Sequence, residues 1–142
     1  MKQSAARTAR PHFTVSLLHA ASAVTERLEA ALDTVGLSMA KHSALTSLAE
    51  AGEPITLGEL AARLSCVRSN ITQLVDRLEA DGLVRRTDDP SDRRSVRAEL
   101  TSLGAEKQKA GQAEIARVQH QFAGRISGAD LLGLESALEA LG

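Results

Sequence analysis

Apolar residues recur along most of this chain with a helical period. From about Thr14 to Val35, the residues Leu17, Ala21, Val24, Leu28, Ala31 and Val35 step by fours and threes, which predicts an amphipathic helix. A second stripe, Leu131, Leu134, Leu138 and Leu141, closes the chain after Ser127 and Asp130 in the spacing of a capping box. Between them, Ser38 is placed to cap a helix through Ala49, which the turn at 51–54 ends. Thr56 and Glu59 make another capping-box pair and predict a short helix to about Leu64. After a break at 65–67, residues 68–81 set Ile71, Leu74, Val75 and Leu78 on one face, and Gly82 can take the left-handed conformation that stops the helix. Ser69 and Gln73 project opposite that face, with Asn70, Thr72, Asp76 and Arg77 on its flanks.

The period then changes to two. Val96, Ala98 and Leu100 alternate with Ser95, Arg97 and Glu99, and together with "LVRRT" at 83–87 they predict an antiparallel hairpin whose loop is 88–94. Thr101 caps a long helix through about Ala123, with Ile115, Val118 and Phe122 on one side. The expected fold is mainly α with a small β-hairpin wing, a winged helix-turn-helix with N- and C-terminal dimerisation helices. Its parts are an N-terminal tail and dimerisation helix (1–36), a winged helix-turn-helix DNA-binding region (37–100) and C-terminal dimerisation helices (101–142), one domain overall. The outer helices can lie on their own domain or form the seam of a dimer. The middle of the chain favours the seam.

Composition supports helix, because Ala and Leu supply nearly a third of the 142 residues. Two Phe and no Trp or Tyr argue against stacking on single-stranded nucleic acid or sugars. The formal net charge is only −1, but the charge is unevenly spread. Eight of thirteen arginines (Arg63, Arg68, Arg77, Arg85, Arg86, Arg93, Arg94 and Arg97) fall in one stretch without a lysine, and arginine's planar donor fork suits phosphates and guanine edges. Six acids interleave with them (Asp76, Glu79, Asp81, Asp88, Asp89, Asp92), so a solvated mixed-charge surface is the competing explanation. The basic start, "MKQSAARTARPHF", precedes no apolar core, and no run reaches the ~18 apolar residues of a membrane span, so no secretory signal or membrane role is expected. A single cysteine leaves no internal disulfide, and the cytoplasm is the default location.

A helix with a polar outward N-terminal half, preceded by a second helix and followed by a hairpin, fits the major groove of B-DNA. Asn70 and Gln73 can each pair with adenine, Ser69 can serve any base, and Arg68 and Arg77 suit phosphates. In "DDPSDRRS" (88–95), Arg93 and Arg94 stand where the hairpin turns back, suited to a narrow minor groove, and Asp92 can hold the Arg94 side chain by a charge-assisted pair. An ordinary surface helix in a bundle and a self-satisfied ion-paired turn are the plainer alternatives for the two features.

The stretch "ITQLVDRLEADGLVRRTDDPSDRRSVRAELTSLG", residues 71–104, resembles the MarR family of bacterial transcriptional regulators almost throughout, in "LVDRLE", "GLV", "DPSDRR" and "LT". Helix order and length extend the resemblance over nearly the whole chain. It implies a homodimer joined through first and last helices, with two recognition helices in successive major grooves of a pseudo-palindromic double-stranded operator. It further implies repression relieved by a small molecule, aromatic acids being one class, or by an oxidant. The family's wing pair, the Asp and second Arg of D-R-R, corresponds to Asp92 and Arg94. DNA-binding positions are thus Arg68, Ser69, Asn70, Thr72, Gln73, Arg77, Asp92, Arg93 and Arg94.

Two positions depart from the pattern. Where the family commonly caps the recognition helix with Ser, register gives Val67 after Cys66, and losing a capping oxygen costs about 1 kcal/mol. Either Ser65 substitutes with a shifted start or Asn70 and water satisfy the amides. Cys66, beside Arg68 and before a helix N-terminus, has surroundings that lower a thiol pKa and suit a redox sensor, although a small buried turn residue is the simpler role. His12, His19, His42 and His120 form no metal motif; His19 and His42 are candidates for lining a ligand pocket, or plain packing and surface residues. No cofactor is implied, and no nucleotide loop or nucleophile-base pair points to an enzyme. A winged-helix dimerisation or protein-interaction module without specific DNA binding is the alternative function.

Overall fold

A computed structural model describes residues 12–65 and 68–142, the side chains at 68 and 69 excepted. The elements are α1 (Phe13–Asp33), α2 (Met39–Ala51), β1 (Ile55–Thr56), α3 (Leu57–Arg63), α4 (Arg68–Ala80), β2 (Val84–Asp89), β3 (Asp92–Leu100), α5 (Ser102–Ala123) and α6 (Gly128–Glu139). It is a mainly helical winged helix-turn-helix.

The helices start where their caps dictate. Ser38, Thr56, Thr101 and Ser127 side chains accept from the backbone N–H groups of Lys41, Glu59, Gly104 and Asp130, three residues on in each case. Helix ends are set by glycine. Gly36 and Gly82 have φ of +75° and +74°, and each follows a helix closed by a pair of backbone bonds: Leu37 N–H to Leu32 C=O with Gly36 N–H to Asp33 C=O, and Leu83 N–H to Leu78 C=O with Gly82 N–H to Glu79 C=O. The first of these stops α1 at Asp33. Val35, expected on the α1 stripe, therefore lies in the turn, where it still packs against the core.

The core joins Leu32 of α1, Leu45 and Leu48 of α2, Leu60 of α3 and Ile71, Val75 and Leu78 of α4 to Leu83, Val84 and Ala98 of the sheet. Burying the α4 stripe leaves the opposite face of that helix to solvent. The sheet has three antiparallel strands in the order β1-β3-β2, one more than the hairpin expected. β1 has only two residues, paired as Ile55 with Ala98 and Thr56 with Arg97, too short to leave an alternating pattern.

The outer helices bury little. Ala31 and Leu32 are the buried residues of α1, and α6 has none among the described residues. Phe13, Val15, Leu18, Leu132, Leu134, Leu138 and Leu141 are all exposed. What fixes α1 to the rest lies at its C-terminal end, where the Glu29 carboxylate accepts from the Met39 N–H at 3.3 Å and Lys107 Nζ of α5 donates to the Val35 carbonyl at 2.8 Å. Among the described residues no helix is long and apolar enough to cross a membrane.

Close approach at the start of α5 constrains the sequence most. A Cβ on Gly104 would lie 1.9 Å from the Leu83 carbonyl oxygen, a backbone atom that cannot swing away. Gly104→Ala should therefore lower unfolding stability by about 1–3 kcal/mol in urea titrations. Gly58→Ala, where the nearest atom is 3.9 Å away, should stay within about 1 kcal/mol of wild type.

Candidate nucleic-acid interface

With Ile71, Val75 and Leu78 fully buried, helical geometry turns Asn70, Thr72, Gln73, Asp76 and Arg77 outward, and all five are exposed. Cys66 and the side chains of Arg68 and Ser69 lie outside the described residues, so the capping of α4 and a redox role are not addressed by the geometry. Thr72 faces the wing. It lines, with Thr56, Gly58, Arg94 and Ser95, a cleft of about 370 Å³ between the starts of α3 and α4 and strand β3.

The wing differs from the expected seven-residue loop. β2 runs to Asp89 and β3 begins at Asp92, leaving Pro90 and Ser91 as the turn. Its register also slips. Arg86 pairs with Ala98 and Asp88 with Val96, but Asp89 pairs with Asp92, so β2 advances one residue while β3 advances four. Arg93, Arg94 and Ser95 are thus set out of the ladder in a bulge, the device that re-aims side chains at sheet edges. Arg93 and Arg94 are exposed.

The expected Asp92–Arg94 side-chain pair is not formed. Asp92 Oδ1 instead accepts from the Arg94 backbone N–H at 2.9 Å, closing a two-residue turn. The wing's ion pair is Asp89 with Arg97. Asp89 is buried; its Oδ1 accepts from the Ser91 N–H (3.0 Å) and hydroxyl (2.7 Å), and its Oδ2 from Arg97 Nε (3.2 Å) and Nη2 (3.0 Å). Arg97 Nη1 donates to the Pro54 carbonyl at 3.2 Å. The Ser91 N–H and hydroxyl, followed by Arg97, hold the Asp89 carboxyl down to about 2. The sequence signal for this arrangement was Asp-Pro-Ser itself, an acid two residues before a hydroxyl in a turn.

Three more of the interleaved acids, Asp76, Glu79 and Asp81, are also occupied. Arg86 binds Asp76 and, at 3.2 Å, Glu79, clamping α4 to β2, and these carboxylates, Asp76 foremost, raise its pKa. Arg85 pairs with Glu99, its cross-strand partner, at 2.5 Å, and Lys41 with Asp81 at 2.6 Å. Within the arginine-rich stretch, Arg63, Arg77, Arg93 and Arg94 keep guanidinium groups without a carboxylate partner among the described residues. The mixed-charge stretch thus holds paired arginines that brace the fold and leaves Arg77, Arg93 and Arg94 exposed on α4 and the wing.

The histidine candidates are not brought together. His19 is exposed on α1, ten residues before Glu29 and so about 15 Å along the axis from the α1–α2 junction. His42 is 4% exposed between α2 and α5, its Nε2 3.4 Å from Thr46 Oγ1, which accepts from Gln108 Nε2 at 3.3 Å. His42 Nδ1 has no hydrogen-bond partner, and Gly111 packs against it so tightly that a Cβ would lie 2.5 Å away.

Residues 37–96 match the sequence profile of the MarR family. The matched stretch is the winged helix-turn-helix region from just after α1 to strand β3. YsmB of Bacillus subtilis, an uncharacterized HTH-type transcriptional regulator, is 34% identical over 89 residues, which cover 63% of this chain and 60% of that relative. The match thus spans less than two thirds of the relative's length. The structure of a mutant MarR from Escherichia coli complexed with operator DNA superposes with a TM-score of 0.78 at 22% identity, covering 94% of this chain and 99% of that one. CouR from Rhodococcus jostii, bound to p-coumaroyl-CoA, gives a TM-score of 0.75 at 27% identity, covering 92% of each chain.

Burial pushes the His42 ring below its ordinary pKa of 6.5, with the Gln112 side chain opposing. The unfolded chain therefore binds this proton at a higher pH than the folded one, and the His42 contribution to stability, full above 6.5, is lost as pH falls toward the lowered folded value. Urea unfolding between pH 7.5 and pH 5, conditions chosen to span that window, should show a decline in stability on the acid side that His42→Gln reduces.

Proposed function

We propose that this chain is a regulator of the MarR type: a sequence-specific, homodimeric DNA-binding transcriptional regulator, a repressor released by a small-molecule or oxidant signal. The observation that carries the reading is the shared surface of α4 and the wing: Thr72 and Arg94 line one cleft, and Arg77, Arg93 and Arg94 are left unpaired beside it. On this reading Asn70 and Gln73, with Ser69, meet base edges in the major groove. Arg68, Thr72 and Arg77 contact the backbone, Arg93 and Arg94 reach the adjacent minor groove, and Asp92 shapes the turn that carries them.

The dimer is proposed from the apolar residues that α1 and α6 leave exposed, since large apolar side chains left to solvent along two helices need a covering partner. A two-fold dimer would present two α4 helices to half-sites about one helical turn apart. The operator-bound MarR and ligand-bound CouR support duplex DNA and a small organic effector, an aromatic acid or its conjugate, as partners. Cys66 is retained as the one candidate for oxidant sensing. A protein-interaction module on the same fold would instead bind duplex DNA weakly and independently of Arg94.

Fluorescence anisotropy on duplex from upstream of the gene, against a scrambled duplex, tests the proposal. Wild type should prefer the native duplex by roughly a thousandfold or more. Arg94→Ala should bind more weakly, with a salt dependence shallower by about one ion. Equal, weak binding of both duplexes by both proteins would remove the DNA-binding reading. Light scattering should report a dimer for wild type, and Leu134→Glu with Leu138→Glu should shift it to monomer by placing charges in the apolar seam.

A further inference from the structure

We propose that Asp89 and Arg97 are the positioning pair of the wing, holding the out-of-register segment 93–95 at the angle from which Arg93 and Arg94 meet DNA. The inference rests on the DNA-binding reading above and assigns its geometric control to residues outside the D-R-R triplet.

Three attachments converge on this pair. Asp89 Oδ1 fixes the turn through both polar groups of Ser91, and Oδ2 fixes β3 through two Arg97 nitrogens. The third Arg97 nitrogen reaches the Pro54 carbonyl, just before β1 and the start of α3. One carboxylate and one guanidinium thus join the tip of the wing to the body that carries α3 and α4. The bulged residues lie between Asp92 and Arg97, so their aim is set by where these ends are held. Without the pair, the one side-chain bond restraining the bulge among the described residues is Asp92 Oδ1 on the Arg94 N–H.

The charges separate positioning from direct contact. An acid in a DNA-facing wing repels phosphates, so by charge alone Asp89→Asn should tighten binding. A positioning role gives the opposite sign. Arg97 in turn has all three guanidinium nitrogens directed at Asp89 and Pro54, and as a positioning residue it is lost without loss of a phosphate contact.

The test uses the full-length chain as Asp89→Asn, Arg97→Gln and Arg97→Lys, each also combined with Arg94→Ala. Backbone ¹⁵N relaxation of the free protein is read first. Order parameters at residues 91–95 should fall from about 0.85 toward 0.6 or below in the variants while those of α2 and α4 hold. Anisotropy across a salt series should then show Asp89→Asn and Arg97→Gln each weakening binding about tenfold at unchanged salt slope, with a smaller further loss in the Arg94→Ala background, where only Arg93 is left to position. Arg97→Lys keeps the charge but not the fork, so it should fail like Arg97→Gln, and it replaces that variant if Arg97→Gln does not fold. Undiminished binding by Asp89→Asn, rescue by Arg97→Lys with a slope lowered by about one in Arg97→Gln, or unchanged wing order would each overturn the proposal. If wild type itself shows no duplex preference, the DNA-binding reading fails, and the relaxation data still decide whether the pair orders the wing.

Discussion

The end of α4, the base of both wing strands and the start of α5 meet at one backbone crossing, and their mutual geometry follows from it. Leu83 N–H closes α4 on the Leu78 carbonyl, and the Leu83 carbonyl accepts from the Thr101 N–H at 3.1 Å. Thr101 Oγ1 donates to the Gly82 carbonyl at 2.6 Å while accepting from the Gly104 N–H at 3.0 Å. Only a residue without a Cβ at 104 lets the helix pass the Leu83 carbonyl. One backbone bond and one side-chain bond from Thr101 tie the start of α5 to the end of α4 and the base of the wing. The long helix α5 and the surface shared by α4 and the wing thus have a common joint.

Charge then decides what the joined surface can do. Acids in the arginine-rich stretch are spent on arginines that brace the fold: Asp76 and Glu79 on Arg86, Glu99 on Arg85, Asp89 on Arg97. The pairs other than Asp89 with Arg97 are exposed or half-exposed, and such pairing adds little stability. Its effect is to orient, and to leave Arg77, Arg93 and Arg94 uncompensated on the face that α4 and the wing share. A net charge near zero is thereby compatible with a locally basic surface.

What the sequence revealed was local. Caps at Ser38, Thr56, Thr101 and Ser127, the stop at Gly82 and the buried stripe Ile71, Val75 and Leu78 all depend on residues within a turn or two, and each stands where spacing put it. The fold class followed from their order. The wing's interior did not, because a three-residue slip between β2 and β3 is fixed by Asp89 bonding Ser91 and Arg97, contacts that strand periodicity does not encode. Proximity in sequence suggested Asp92 for Arg94, whereas the backbone N–H of Arg94 reached that carboxylate first. His42 was visible as a histidine on a helix, but its burial against Gly111 depends on α5, about 70 residues away by subtraction of their numbers, and on the absence of a side chain there.

The central claim is that α4 and the wing form one DNA-reading surface used twice by a two-fold dimer. Hydroxyl-radical footprinting of the duplex upstream of the gene tests it most directly, because cleavage reports groove and spacing together. A two-fold dimer on its operator should give two protected patches related by a dyad and centred about 10 base pairs apart, or a multiple of that. Each should be flanked by a narrower patch of minor-groove protection from the wing. A single patch without dyad symmetry, or core protection with none at the flanks, would contradict the account.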